Sequence, residues 1–162
     1  MRADPFLWHS AIAAPIKYTP VLSSSYWMVK GNVFIAGVNN GRPLASRQGM
    51  IIDTGTTLLV GPASAVTRIF SLVPGVAASS VGAGYYDAPC NNIPIISLGF
   101  GRLYPIPASS MNLGETYSGS GRCVLALVGG AFNDWIVGDT FLSNVYSTFD
   151  YTKNAVGFAP LA

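Results

Sequence analysis

A single histidine and two cysteines stand in 162 residues, and only 10% of the chain is charged. Each shortage excludes a class of chemistry. His9 lies in an irregular, proline-flanked N-terminal stretch, so a serine or cysteine nucleophile would lack its general base. One histidine and two cysteines are too small a donor set for zinc, and no metal is expected. One disulfide is the better use of the cysteines, and it would imply an oxidising compartment. Nine basic residues are scattered without a cluster, giving a net charge of +2, so the phosphate-neutralising footprint of a nucleic-acid binder is missing. No apolar run approaches the roughly 20 residues that span a bilayer, so no membrane partner is expected. Asp4, Pro5, His9 and Pro15 interrupt the segment where a signal peptide would be continuous, so the chain as written carries no export signal. Phosphate-loop and dinucleotide glycine patterns are absent, since "GFGRLYPIP" opens no helix, and no cofactor is expected. Asn-x-Ser/Thr acceptors are also missing.

What is present is apolar. Half the residues are hydrophobic, and 162 residues suffice for one domain with a real core. Apolar and β-branched segments recur with Gly, Pro and Asn between them, which predicts an all-β domain with short helices. Tyr26 to Ile35 reads as a strand, Asn40-Gly41 as a two-residue hairpin turn, and a partner strand leads to Met50, Ile51 and Ile52. After Pro62, the apolar residues Val66, Ile69, Phe70 and Val73 at helical spacing predict a short helix, which Pro74-Gly75 stops. Strand-like pieces follow, with a tight turn at Gly101-Arg102 and a loop from Gly114 to Gly121. "CVLALVGG" reads as one buried strand, Asp139 as a helix N-cap, and the last residues as two strands joined across "DYTKN".

One segment stands apart. In "GMIIDTGTTLLVGP", Asp53 is placed in a turn of hydroxyl and glycine residues between two apolar runs. A carboxylate that stays ionised while partly desolvated needs hydrogen bonds to its charged form, and Thr56, Thr57 and the Gly55 amide are placed to give them. Gly55 has no β-carbon, so the chain bends sharply there and another backbone can approach. The flanking apolar residues pin the turn to the core and make the carboxylate rigid, the preorganisation that a catalytic site requires. Alone, Asp-Thr-Gly also occurs as an ordinary polar turn between strands.

The longer pattern is more specific. "IIDTGTTLLVGP", a short helix, two cysteines and "WIVGDTFLSNVYSTFDYTKNAVGFAP", in that order, resemble the C-terminal lobe of pepsin-like aspartic proteases, the secreted fungal members above all. The resemblance runs from about Tyr18 to Ala162, leaving residues 1–17 as an irregular N-terminal segment and 18–162 as the lobe. It implies that Asp53 is the catalytic aspartate and that Ile136, Val137 and Gly138 pack beneath its loop. It also implies that Thr54 bonds across to a second lobe, that Thr56 steadies the carboxylate, and that Gly55 and Thr56 lie against a peptide substrate. Cys90 would pair with Cys123, and the protein would work outside the cell or in an acidic vacuole.

One carboxylate is not enough for the implied reaction. Splitting an amide this way takes two carboxyls sharing a proton, and a lone Asp53, with an ordinary pKa of about 3.9, would be ionised near neutrality. Asp4, Asp87, Glu115, Asp134, Asp139 and Asp150 are not in a second Asp-Thr-Gly setting, and no tyrosine marks a flap. The expected partner is therefore a missing N-terminal lobe or a second copy pairing as a homodimer. Two other readings stay open: a non-catalytic binding protein that keeps the fold, and an inert truncated fragment.

Overall fold

The computed structural model describes residues 11–23 and 25–162, so Asp4, His9 and most of the N-terminal segment lie outside the described residues. Among the described residues the chain is mostly strand: β1 (Lys17–Pro20), β2 (Met28–Ile35), β3 (Ala45–Ile52) and β4 (Leu59–Pro62) precede helix α1 (Ala63–Phe70). Next come β5 (Ala77–Ala78), β6 (Tyr86–Pro89), β7 (Ile96–Gly99) and β8 (Leu103–Ile106), then α2 (Ala108–Met111). β9 (Asn112–Glu115), β10 (Arg122–Leu125), β11 (Leu127–Gly130) and β12 (Trp135–Val137) lead to α3 (Asp139–Leu142), and β13 (Val145–Asp150) and β14 (Ala155–Pro160) close the chain. The all-β class with short helices expected from the alternating apolar segments is what the chain adopts.

Three sheets share one core. The largest has seven strands in the order β11-β4-β12-β3-β2-β7-β8, beside a four-stranded sheet β5-β6-β10-β9 and a three-stranded sheet β1-β14-β13. Strand β2 shows why it forms: Val29, Gly31, Val33 and Ile35 point inward at every second position, the period of a strand with one buried face. Helix α1 buries Val66, Ile69 and Phe70 on one side, as their spacing predicts. Trp135, Tyr104, Phe100, Phe141 and Phe158 fill the centre, and the buried Tyr104 hydroxyl donates to the Phe158 carbonyl at 2.8 Å. That bond gives the one polar atom of the ring a partner, which a buried phenol needs.

Three local expectations are corrected. Asn39, Asn40 and Gly41 all have positive φ and form a single 3-10 turn, so the connection between β2 and β3 is longer than a two-residue hairpin loop. "CVLALVGG" is two strands, not one. It breaks at Ala126, where β10 leaves the four-stranded sheet and β11 joins the seven-stranded one. Asp139 is the first helical residue of α3 and Gly138 is its cap, without a side-chain capping bond. Cys90 and Cys123 form the disulfide, 33 residues apart in sequence, on the four-stranded sheet. Such a closure adds about 3 to 4 kcal/mol in the loop-entropy model.

Candidate active site

β12 does more than extend the large sheet. It runs parallel to β3, pairing Ile136 with Ile51 and Val137 with Ile52, and antiparallel to β4, pairing Val137 with Leu59. The strand therefore lies between the two arms of the turn that carries Asp53. The Asp53 amide donates to the Val137 carbonyl at 3.0 Å. Beyond it, the amides of Gly138, Asp139 and Thr140 donate in succession to the carbonyls of Leu58, Thr56 and Thr57, at 3.2, 2.8 and 2.8 Å. Thr140, which is buried, adds its hydroxyl to the Thr57 carbonyl at 2.9 Å.

This close approach explains the glycine. A β-carbon at Gly138 would run into the Thr56 carbonyl oxygen and lie 2.6 Å from that of Leu58, both backbone atoms that cannot step aside. Ile136, Val137 and Gly138 thus form the floor of the turn, and the turn is fixed from below by backbone hydrogen bonds rather than by side-chain packing alone.

The carboxylate is fixed from its own side. Thr56 Oγ1 donates to Asp53 Oδ2 at 2.6 Å, and the Gly55 amide donates to Oδ1 at 2.9 Å. The Thr56 hydroxyl first, then the Gly55 amide, lower the Asp53 pKa below its ordinary value, and partial burial opposes them without prevailing. Asp53 therefore stays ionised to lower pH than an ordinary aspartate. Thr57 gives the carboxylate nothing, contrary to what its hydroxyl suggests. It supports the loop through its carbonyl, held by Thr140. Thr54 is exposed, and its hydroxyl has no partner among the described residues.

The sequence profile of eukaryotic aspartyl proteases matches residues 9–161. The chain belongs to the eukaryotic aspartyl protease family. An aspartic protease of Phaffia rhodozyma is 41% identical over 151 residues, covering 89% of this chain and 36% of that protein. Major aspartyl peptidase 1 of Cryptococcus neoformans var. grubii is 38% identical over 83% of this chain and 29% of its own length. Embryonic pepsinogen of Gallus gallus is 32% identical over 93% of this chain and 38% of its own length. The chain thus spans about a third of the length of these relatives. Their shared character is that of pepsin-like aspartic peptidases.

In this aspartyl protease chain Asp53 opens onto a cleft of about 630 Å3. It is lined by Ile51, Ile52 and Ile136 from the large sheet, by Tyr26, Trp27 and Met28 at the start of β2, and by Phe132, Asn133 and Asp134 just before β12. A second recess of about 400 Å3 shares Trp27, Ile52 and Asp53 with the first and is lined further by Thr54, Phe149 and Tyr151. Trp27 is set edge-on against Phe149 and Tyr151 at ring separations of 5.2 and 4.8 Å. The walls went unread in the sequence. Tyr26 and Trp27 look there like ordinary aromatic strand residues, and Asn133-Asp134 like a loop before a strand. The one usable signal was a polar pair directly preceding the apolar Trp135-Ile136-Val137.

Among the described residues no group of three His, Cys, Asp or Glu side chains gathers to hold a metal ion, and no helix is long and apolar enough to cross a membrane.

Proposed function

We propose that this chain provides one catalytic aspartate, Asp53, of an aspartic endopeptidase, and that it cleaves peptides only when a second carboxylate faces it. The observation that carries this reading is the hold on Asp53: two donors keep it ionised at the mouth of a peptide-sized cleft. An ionised Asp53 serves as the base that takes a proton from the attacking water. The second carboxyl must then carry the proton that supports the substrate carbonyl oxygen. The sequence holds no second Asp-Thr-Gly or Asp-Ser-Gly, so the second group comes from another lobe, in the same polypeptide or a separate one, or from a second copy.

The first of these sources has the stronger support, because the family relatives are far longer than this chain. Exposed Thr54, with its hydroxyl unused, is free to bond across to that lobe, and Gly55 and Thr56 are placed to lie along a substrate backbone. The disulfide supports an extracellular or vacuolar location, where oxidised cysteines persist.

The test is peptide cleavage between pH 3 and 5, with and without a pepstatin-type inhibitor, by this chain alone and by this chain assembled with a first lobe. Cleavage by the assembly that the inhibitor blocks and Asp53→Asn abolishes supports the proposal. Inhibitor-sensitive cleavage by a strictly monomeric preparation overturns the need for a second carboxylate, and an inactive assembly overturns the enzymatic reading.

A further inference from the structure

The cleft contains a second carboxylate with no task. Asp134 lines it and is partly buried, yet makes no hydrogen bond or ion pair among the described residues. Its position follows from register. Trp135 pairs with Met50, so Asp134 lies beside Gly49, four residues before Asp53 on β3 and about 13 Å away along the strand. A β-carbon on Gly49 would run into the Asp134 carboxylate, so the bare glycine is what lets the side chain lie over β3 toward the cleft. At that distance Asp134 cannot share a proton with Asp53.

The rest of the cleft determines what would suit it. No Lys or Arg is among its lining residues, so its two carboxylates, Asp53 and Asp134, give it a negative potential. Lys30, opposite Gly49 on the neighbouring strand, is exposed and forms no ion pair with Asp134. Trp27, Met28 and Ile136 give the cleft apolar lining beside Asp134, and the lining residues Tyr26 and Phe132 are 59% and 56% exposed, open to a ligand. An apolar lining that holds an unpaired carboxylate fits a side chain with a methylene stem and a cationic head. Aromatic faces in that lining add attraction for the same head.

We propose that Asp134 is a specificity-determining residue that selects substrates carrying lysine or arginine within about four residues of the cleaved bond, the span of about 13 Å in an extended peptide. The inference rests on the reading of the chain as part of a peptidase, and it deepens that reading by naming the substrate class.

The test uses the assembled protein and peptides identical except for lysine, norleucine or glutamate, scanned across four positions on either side of the bond. At one position lysine raises kcat/KM about tenfold over norleucine, and glutamate lowers it. In Asp134→Asn the lysine-to-norleucine ratio falls to within about twofold of one, and Asp134→Glu retains part of the preference. A ratio unchanged by Asp134→Asn, or no lysine preference at any position, overturns the proposal. If the assembly cleaves no peptide at all, the peptidase reading fails by itself. Asp134 is then judged by binding of the lysine and norleucine peptides, followed at the Trp27 indole resonance. Tighter binding of lysine that Asp134→Asn removes supports the cation site, and equal binding overturns it.

Discussion

Two carboxylates of this chain are held by nearly the same local chemistry, and only one opens into a cleft. Asp53 accepts from the Gly55 amide and the Thr56 hydroxyl. Glu115 accepts from the amides of Gly119 and Gly121, both at 2.9 Å, and those two bonds lower its pKa as well. Outside its own hairpin the Glu115 loop has the Cys90 amide donating to the Gly121 carbonyl at 2.9 Å, and its glycines, Gly119 and Gly121, have positive φ with nothing within 4 Å of where a β-carbon would stand. The Asp53 loop is tied to the rest of the molecule, through β12 and the amide ladder from Gly138 to Thr140. Hydrogen bonds to a carboxylate therefore do not by themselves make a site. What differs is whether the surrounding backbone has any freedom left, and whether the group faces a cavity.

The sharpest break in that comparison is Asp53→Asn against Glu115→Gln. In the assembled enzyme the first should lower kcat by 10^3-fold or more, read by peptide hydrolysis, and the second should leave kcat within about twofold. An equal effect of both would show that the backbone ladder has no bearing on function.

Gly138→Ala comes next. Its β-carbon meets backbone carbonyls, so the expected destabilisation is on the order of 3 kcal/mol or more by chemical denaturation, with loss of activity. Gly119→Ala, strained only by its φ of +78°, should cost about 1 to 2 kcal/mol and spare activity. Replacing both cysteines by serine should cost about 3 to 4 kcal/mol. Cys123 lies opposite Glu115, so the loosened region is the Glu115 hairpin, and kcat below the melting temperature should stay close to the parent's.

Thr56→Val removes the main cause of Asp53's lowered pKa. The acid limb of the pH–rate profile should then move to higher pH and kcat should fall about tenfold, while Thr56→Ser preserves both. For any assembled form, activity should be greatest below about pH 5, because one of the two carboxyls must be protonated. The smallest effect belongs to Glu115. A carboxylate whose pKa is lowered in the folded state stabilises that state above its unfolded pKa of about 4.3, and the stabilisation is lost as pH falls through the lower folded value. Glu115→Gln should remove that part of the acid dependence of stability and leave the rest, as measured by melting curves from pH 2 to 6.

The segment around Asp53 was legible because its chemistry is local. Asp53, Gly55 and Thr56 lie within four positions, so their hydrogen bonds follow from the turn. Helix α1 was legible for the same reason, its buried face being written at helical spacing. The floor of the turn was read only through the order of motifs, since nothing in "WIVGD" by itself says that it lies between β3 and β4, far upstream in the chain. The break at Ala126 could not be read because an unbroken apolar run looks the same whether it stays in one sheet or crosses to another.

Composition and local pattern pointed to an all-β domain with a hydrogen-bonded Asp53 pinned between apolar runs, and the order of the motifs to a protease lobe. Tertiary structure decided which glycine is indispensable, which threonine touches the carboxylate, and that Asp134 shares a cleft with Asp53. The reason is reach. Bonds within a turn depend on neighbours in sequence, whereas a cleft is made by strands that meet only when the sheet closes, so its walls carry no signature in the chain until their register is known.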